Sequence, residues 1–274
     1  LFFFQQQPAN RDPLWSRGLG DVYKRQVQTM LDPADSGPAC LSLCQDTQGE
    51  VYDYPEEFFK ERTHSIRRPK PDDFQIKEAA EKIKNSKNPI IISGGGVFYS
   101  EAMEELGSFA TKHNIPVTQT VMGYSTMKRD HSHFLGPIGG LGGKAANNLA
   151  KKTDLAIAIG TKLADFTTGS WANFENPNFG LVSLNITRHD ANKHLAQAVI
   201  GDAKVSLIDL SQALGNWKAP DDWYKKSRDE LKSWNEYVDK ESGPTNQEIP
   251  SYAHAVGAIS VSYTHLTLPT NREV

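Results

Sequence analysis

Asn88-Pro-Ile-Ile-Ile-Ser-Gly-Gly-Gly-Val-Phe-Tyr-Ser100 decides how the rest of the chain is read. Three isoleucines run into Ser93 and then into three glycines. A short β-branched run bounded by Gly predicts a buried parallel strand. Beyond it, Met103, Leu106 and Ala110 share one helical face while Glu101, Glu104, Glu105 and Lys112 lie off it, which predicts a crossover helix at about 101–113. Glycines at a strand's carboxyl end let backbone N–H groups approach a ligand or a neighbouring loop closely. The stretch is a βα unit of an open α/β sheet.

Working outward, the same grammar repeats. Upstream, Asp72 or Asp73 caps a helix with Ile76, Ala79, Ala80 and Ile83 on one face. Downstream, Pro116–Thr120 reads as a strand, followed by Met122–Met127 and a loop through Asp130, His131 and His133. Gly136–Gly143 leads into a helix near Lys144. Asp154–Gly160 is the strongest strand pattern, Gly180–Asn185 another, and Ala198–Gly201 a short last one before a helix at about 203–214. Strands alternating with helices predict an α/β fold: an open, mostly parallel, Rossmann-like sheet with helices on both faces. Ligands in such sheets sit beyond the carboxyl ends of the strands. The candidate binding residues are therefore Gly94, Gly95 and Gly96, Gly123 within Met122–Tyr124, Gly160 and Thr161 within Gly160–Leu163, and Asn185 within Asn185–Thr187.

The flanks read differently. Gly37–Cys44 is apolar at Ala39, Leu41 and Leu43 with period two, a strand that Gln45–Gln48 ends. Arg67, Arg68, Pro69 and Pro71 form an extended linker, because Pro-x-Pro spacing resists helix. Asp221–Lys240 is a charged helix with Tyr224, Leu231, Trp234 and Val238 on one stripe, expected to pack on its own domain. Gly243–Pro250 breaks it and a further helix begins at Ser251. Residues 1–26 and 260–274 have no structural period and look like translated sequencing-adapter read-through. The expected organisation is thus 1–26 and 260–274 non-native, 27–71 a last strand plus linker, 72–216 a central α/β domain, 217–250 helix and linker, and 251–259 the start of a further domain.

The totals exclude several classes. A net charge of -3 over 274 residues gives no reason to expect nucleic acid or an acidic membrane surface as partner. No apolar run approaches the roughly 18 residues a membrane helix needs. Cys40 and Cys44, the two cysteines, read as buried thiols in a reducing cytoplasm. The Gly94–Gly96 turn has Tyr99 where a dinucleotide fingerprint has its third glycine, and the next strand ends in Gln119 and Thr120 with no acid for a ribose. Gly142-Gly-Lys-Ala145 lacks the first glycine and the hydroxyl of a P-loop. His131, His133 and Asp130 have no third metal ligand in sight and read as a solvated loop. Ser125 has no nucleophile elbow, since Met127 stands where its second glycine belongs. His189 and Asp190 read as a helix start. Chemistry alone gives a fold and a ligand-facing edge, and no metal site.

In order, Gly37–Leu43 with Gln45-Asp-Thr-Gln48, Pro89–Gly96, Gly136-Pro-Ile-Gly139, Asp154–Leu163 and Gly201-Asp-Ala203 resemble the close of the pyrimidine-binding domain and the middle domain of thiamine-diphosphate-dependent enzymes, the acetolactate-synthase and pyruvate-oxidase superfamily. The resemblance covers about 27–259. Gln45–Phe59 and Asp165-Phe-Thr-Thr-Gly-Ser-Trp171 are similar to the trihydroxycyclohexanedione hydrolases of myo-inositol breakdown, which open their cyclic substrate with water to 5-deoxyglucuronate. The resemblance implies thiamine diphosphate and Mg²⁺ as cofactors of the intact enzyme, a small-molecule substrate, a cytoplasmic location and a homo-oligomer that shares active sites between subunits. It also implies that the activating glutamate of the first domain and the Gly-Asp-Gly of the third lie outside this chain, which then holds no catalytic position and is inactive alone. Some relatives bind FAD in the middle domain; here the resemblance implies a spacer that walls the active site. The alternatives are an acetolactate-synthase-type carboligase and a non-catalytic FAD- or nucleotide-binding module.

Overall fold

The computed structural model describes residues 26–40, 45–49, 51, 53, 54, 56, 59–61 and 63–263. Chain contacts separate Leu1–Pro69 from Lys70–Val274. In the first group a helical turn spans 26–31 and another Gln45–Gln48. Asp32 accepts hydrogen bonds from the Arg67 guanidinium and from the amides of Ala34 and Asp35, which holds its pKa at about 2. Residues 37–40 are irregular rather than strand, and 41–44 of that expected strand lie outside the described residues. Cys40 is exposed, not a buried thiol, because no strand carries it into a core there; Cys44 lies outside the described residues.

The second group is built on the elements α1 (Asp73–Lys84), β1 (Pro89–Ser93), α2 (Gly95–Tyr99), α3 (Met103–His113), β2 (Val117–Gln119), β3 (Phe134–Pro137), α4 (Lys144–Ala150), β4 (Leu155–Ile159), α5 (Asp165–Thr168), β5 (Gly180–Asn185), α6 (Arg188–Ala191), β6 (Gln197–Ile200), α7 (Ala203–Leu214), α8 (Asp221–Ser242) and α9 (Tyr252–Tyr263). The six strands form one parallel sheet in the order β3-β2-β1-β4-β5-β6. That is the doubly wound order, with the topological switch between β1 and β4.

Alternation along the strands divides the core. Ile91, Ile157 and Val182 face α1, α3 and α7, where Ile83, Leu106, Phe109 and Leu210 are fully or almost fully buried. Ile90, Ile92, Ala156 and Ala158 face the other way, against Leu149 of α4 and Trp223 of α8. Alanines at 156 and 158 leave room on that face for a bulky indole. Aspartate carboxylates cap α1 and α7: Asp72 accepts from the Phe74 amide, Asp202 from those of Lys204 and Val205.

Four expectations change. The helix expected from about 101 starts at Met103, after the separate short α2, because Glu101 sits at φ 53° and interrupts the helical path. β3 stands where a loop into a helix was expected. On α8 the buried residues are Trp223, Ser227 and Leu231, and Val238 is on the exposed side, so the inward stripe starts one residue earlier than expected. α9 continues from Ile259 to Tyr263 without a break. Among the described residues, no helix is long and apolar enough to cross a membrane.

Candidate functional site

Both first-turn glycine loops at the switch point are committed to each other. The amides of Gly94 and Gly96 donate to the carbonyls of Ile159 and Gly160, each at 2.9 Å, and Gly160 donates to Leu184 at 2.8 Å. A methyl group at Gly94 would lie 2.4 Å from the Gly160 oxygen, and one at Gly96 2.6 Å from the Gly160 Cα. Gly160 itself has φ 60°. Two backbones therefore pass at van der Waals distance, which is the neighbouring-loop use of glycine rather than the phosphate-cradling one. The second glycine loop is closed in the same way: Gly140 donates to Phe166, Gly143 to Pro137, and Gly139 is bracketed by the Asn147 amide.

A cavity of about 420 Å³ opens above this floor, at the carboxyl ends of β1, β2, β4 and β5. Of the sequence-predicted residues, Gly95, Gly96, Gly160, Thr161 and Asn185 line it together. Gly94 and Gly123 lie beneath, Gly123 so close to the Ser93 carbonyl that an added methyl would stand 2.1 Å from its oxygen. Strand ends could not reveal Tyr99, Val121, Phe166 and Asp190, which also line the cavity. Their places depend on how the short helices and turns after β1, β2, β4 and β5 run.

The polar lining is largely occupied internally. Asn185 donates to the Thr161 carbonyl and accepts from the Thr187 amide. The Thr161 hydroxyl accepts from Leu163 N–H, and Asp190 is ion-paired with Lys193. Lys162 is an exposed cation at the mouth. Under the floor, the Ser93 hydroxyl donates to Thr126 Oγ1 at 2.7 Å, and Thr126 donates on to the Gly123 carbonyl at 2.7 Å. Gln119 closes that network by donating to Met127 O. The result is a rigid floor under an apolar cavity.

The histidine loop is solvated at Asp130 and Ser132, but His133 turns inward. His133 is 6 % exposed, stacked 4.6 Å from Tyr224, with Nε2 donating to Asn114 Oδ1 and Nδ1 accepting from Ser132. Asn114 Nδ2 donates to Ala219 O and Asp221, which fixes Oδ1 as the acceptor and His133 as the neutral Nε2–H tautomer. Burial, then the charges of His131 and Arg228, push its pKa down to about 4. Trp223, on the helix that covers this loop, went unread as a core residue because its charged neighbours mask it. His189 and Asp190 sit in α6, at a helix start as expected.

Thiamine diphosphate and Mg²⁺ do not fit the described residues: no three carboxylate, imidazole or thiol groups converge, and the amides of Gly94, Gly96 and Gly160 already donate within the protein.

The parallel sheet with a cavity at its switch point places the chain among the open, doubly wound α/β domains. Residues 76–210 match the family described as thiamine pyrophosphate enzyme, central domain, and the chain carries that domain. It is 46 % identical over 188 residues to the 3D-(3,5/4)-trihydroxycyclohexane-1,2-dione hydrolase of Clostridium perfringens, covering 69 % of this chain and 29 % of that protein. The enzyme of the same name from Clostridium tetani is 43 % identical over 227 residues, covering 80 % of this chain and 35 % of its own length. The chain therefore spans about a third of the length of these curated relatives. Among solved structures, an X-ray structure of a thiamin diphosphate-dependent enzyme from Mycobacterium smegmatis matches with a TM-score of 0.58 at 19 % identity, over 74 % of this chain and 38 % of that one, a likeness of fold.

Proposed function

We propose that the intact protein is a thiamine-diphosphate- and Mg²⁺-dependent hydrolase that opens trihydroxycyclohexane-1,2-dione to 5-deoxyglucuronate in inositol catabolism, in the cytoplasm and as a homo-oligomer. This chain supplies its central domain, within 72–216, followed by the helix and linker of 217–250 and the beginning of the next domain at 251–259. The observation that carries the reading is 46 % identity to a hydrolase of that name across the central domain. The stretch Asp165–Trp171, one of those that resemble these hydrolases, forms a lip of the carboxyl-edge cavity through Phe166 and Thr167. Such a placement suits a domain that walls an active site whose cofactor is held elsewhere. Gly95, Gly96, Gly160, Thr161 and Asn185 are then wall residues, and Gly94 and Gly123 are the close-packed floor that shapes them.

The test is the complete source coding sequence, expressed with thiamine diphosphate and Mg²⁺ and offered the cyclic dione or pyruvate. Ring opening of the dione, with the 274-residue chain inactive, is the expected outcome. Carboligation of pyruvate without ring opening would replace the reading by a carboligase.

A further inference from the structure

Phe166 is 69 % exposed and belongs to neither core layer, yet the backbone beneath it is held from several sides. Its carbonyl accepts from the Gly140 amide at 2.7 Å, and a methyl on Gly139 would stand 2.0 Å from the same oxygen. On either side of it Leu163 and Trp171 pack into the second core layer, and Thr168 is fully buried. Leu163, Ser170 and Trp171 take positive φ values of 49°, 52° and 69°. That conformation is unfavourable for residues with a side chain and persists only where the surroundings impose it. Part of the frame is the side chain of Asn147 on α4. Its Oδ1 accepts from the Gly139 amide at 3.0 Å and from Asn173 Nδ2 at 3.3 Å, and its Nδ2 donates to the Gly139 carbonyl at 3.0 Å. Gly139 and Gly140 press on Phe166, while the Asn173 backbone amide donates to the Thr168 carbonyl. One carboxamide thus ties the loop after β3 to two points of the stretch after β4.

The core gains nothing from a phenyl ring left in water on so fixed a backbone, whereas a ligand at the cavity lip does. The phenyl brings no hydrogen-bonding group, so what it can meet is an apolar face. In a ring of the (3,5/4) pattern named for the matched hydrolases, hydroxyls on neighbouring carbons alternate in side, so they lie along the rim and leave C–H bonds on the faces. An acyclic 2-oxo acid such as pyruvate presents no such face. We propose that Phe166 determines specificity for a polyhydroxylated ring by packing against its C–H face, and that Asn147 is the positioning residue that holds it there. This rests on the reading of the intact protein as the ring-opening hydrolase.

The test is made in the polypeptide from the complete coding sequence, assayed with thiamine diphosphate, Mg²⁺ and the cyclic dione. Phe166→Ala is expected to raise KM about tenfold with kcat within about twofold, since the contact is with the ring and not with the bond that breaks. Phe166→Tyr should bring KM back to within about twofold of the parent. Asn148→Ala, next along α4 but with its amide on Glu230 instead, should leave KM unchanged. Asn147→Ala should raise KM about threefold or more and, in the 274-residue chain, speed hydrogen exchange of the Gly140 amide about tenfold. Asn173→Ala, which removes one of the same bonds, serves in case Asn147→Ala does not fold. Phe166→Ala in the 274-residue chain should melt within about 2 °C of the parent, which separates a changed KM from a folding defect. An unchanged KM in Phe166→Ala, or a fall in kcat alone, overturns the specificity role. Unchanged exchange at Gly140 in the asparagine variants overturns the positioning role. A parent that opens the ring while Phe166→Ala behaves identically removes this proposal and keeps the hydrolase reading. A parent that joins pyruvate and leaves the dione intact removes the hydrolase reading, and the ring as ligand with it.

Discussion

Gly123 shows how much of this site rests on the absence of a side chain. Its Cα lies against the Ser93 carbonyl, and a methyl there would sit 2.1 Å from that oxygen, with Gly94 Cα at 3.0 Å behind it. Neither neighbour is a flexible side-chain end, so the backbone of β1 or of the turn has to move. Gly123→Ala is expected to cost about 3 kcal/mol or more, seen as a loss of soluble protein or a sharply lower unfolding midpoint. Gly140→Ala meets nothing nearer than Phe166 Cδ1 at 3.7 Å and should stay within about 0.5 kcal/mol of the parent. Equal effects of the two would show that the close approach is not what demands glycine. Thr126 tests the floor from the other side. It accepts from Ser93 and donates to Gly123, so Thr126→Val strands a buried hydroxyl and a carbonyl and should cost about 1–3 kcal/mol in denaturant unfolding with an unchanged m-value. The sequence showed glycines at strand ends but not which partner they approach, since a contact between residues 94 and 160 is set by the strand order.

At the level of elements, legibility followed burial. β1 and β4 are covered on both faces and read as apolar runs, β5 is interrupted by the buried Ser183, and a cavity lies at their carboxyl ends. β3 was missed because Phe134-Leu-Gly-Pro137 holds a glycine at φ 106° and a proline, both of which signal turns, and only pairing at the sheet edge makes it a strand. α8 was seen, but its inward stripe was set one residue late, because a charged surface hides where the stripe begins. That helix is held by Trp223, whose indole N–H donates to Pro89 O at 2.7 Å, and by His133 stacked on Tyr224. The histidine makes the docking of α8 sensitive to acid. Folded His133 titrates at about 4 against an ordinary 6.5, so between those values the unfolded chain binds more protons. Its contribution is therefore complete above about pH 6.5 and is lost as pH falls toward 4, up to about 3 kcal/mol. His113, buried by α3 with Nδ1 donating to Trp217 O and its pKa also lowered by burial, acts in the same direction. The unfolding free energy should fall between pH 6.5 and 4.5, and His133→Gln should flatten that slope while lowering stability at pH 7. An unchanged slope in the variant would assign the acid sensitivity to other groups.

For the whole molecule, every residue of the two core layers lies between Ile76 and Leu231, and all six strands lie between Pro89 and Ile200. Among the described residues, neither layer draws on a side chain before Ile76 or on one from α9. The doubly wound unit should then fold without its flanks, and Lys70–Ser242 keeps Pro71 against Gly201, the Asp72 cap of α1 and the full length of α8. That polypeptide is expected to unfold in one cooperative transition with a midpoint within about 4 °C of the 274-residue chain, a difference of about 1 kcal/mol or less for a unit of this size. Ending it instead at Pro220 removes Trp223 and Leu231 and uncovers Ile90, Ile92, Ala156 and Ala158 on one whole face of the sheet. Removing two large buried side chains costs several kcal/mol on the scale of core truncations, comparable to the total stability of an ordinary domain. The shorter polypeptide should therefore aggregate or bind a hydrophobic dye where the longer one does not. Were both to melt alike, α8 would be an appendage of the surface, and the second core layer would have to close without it.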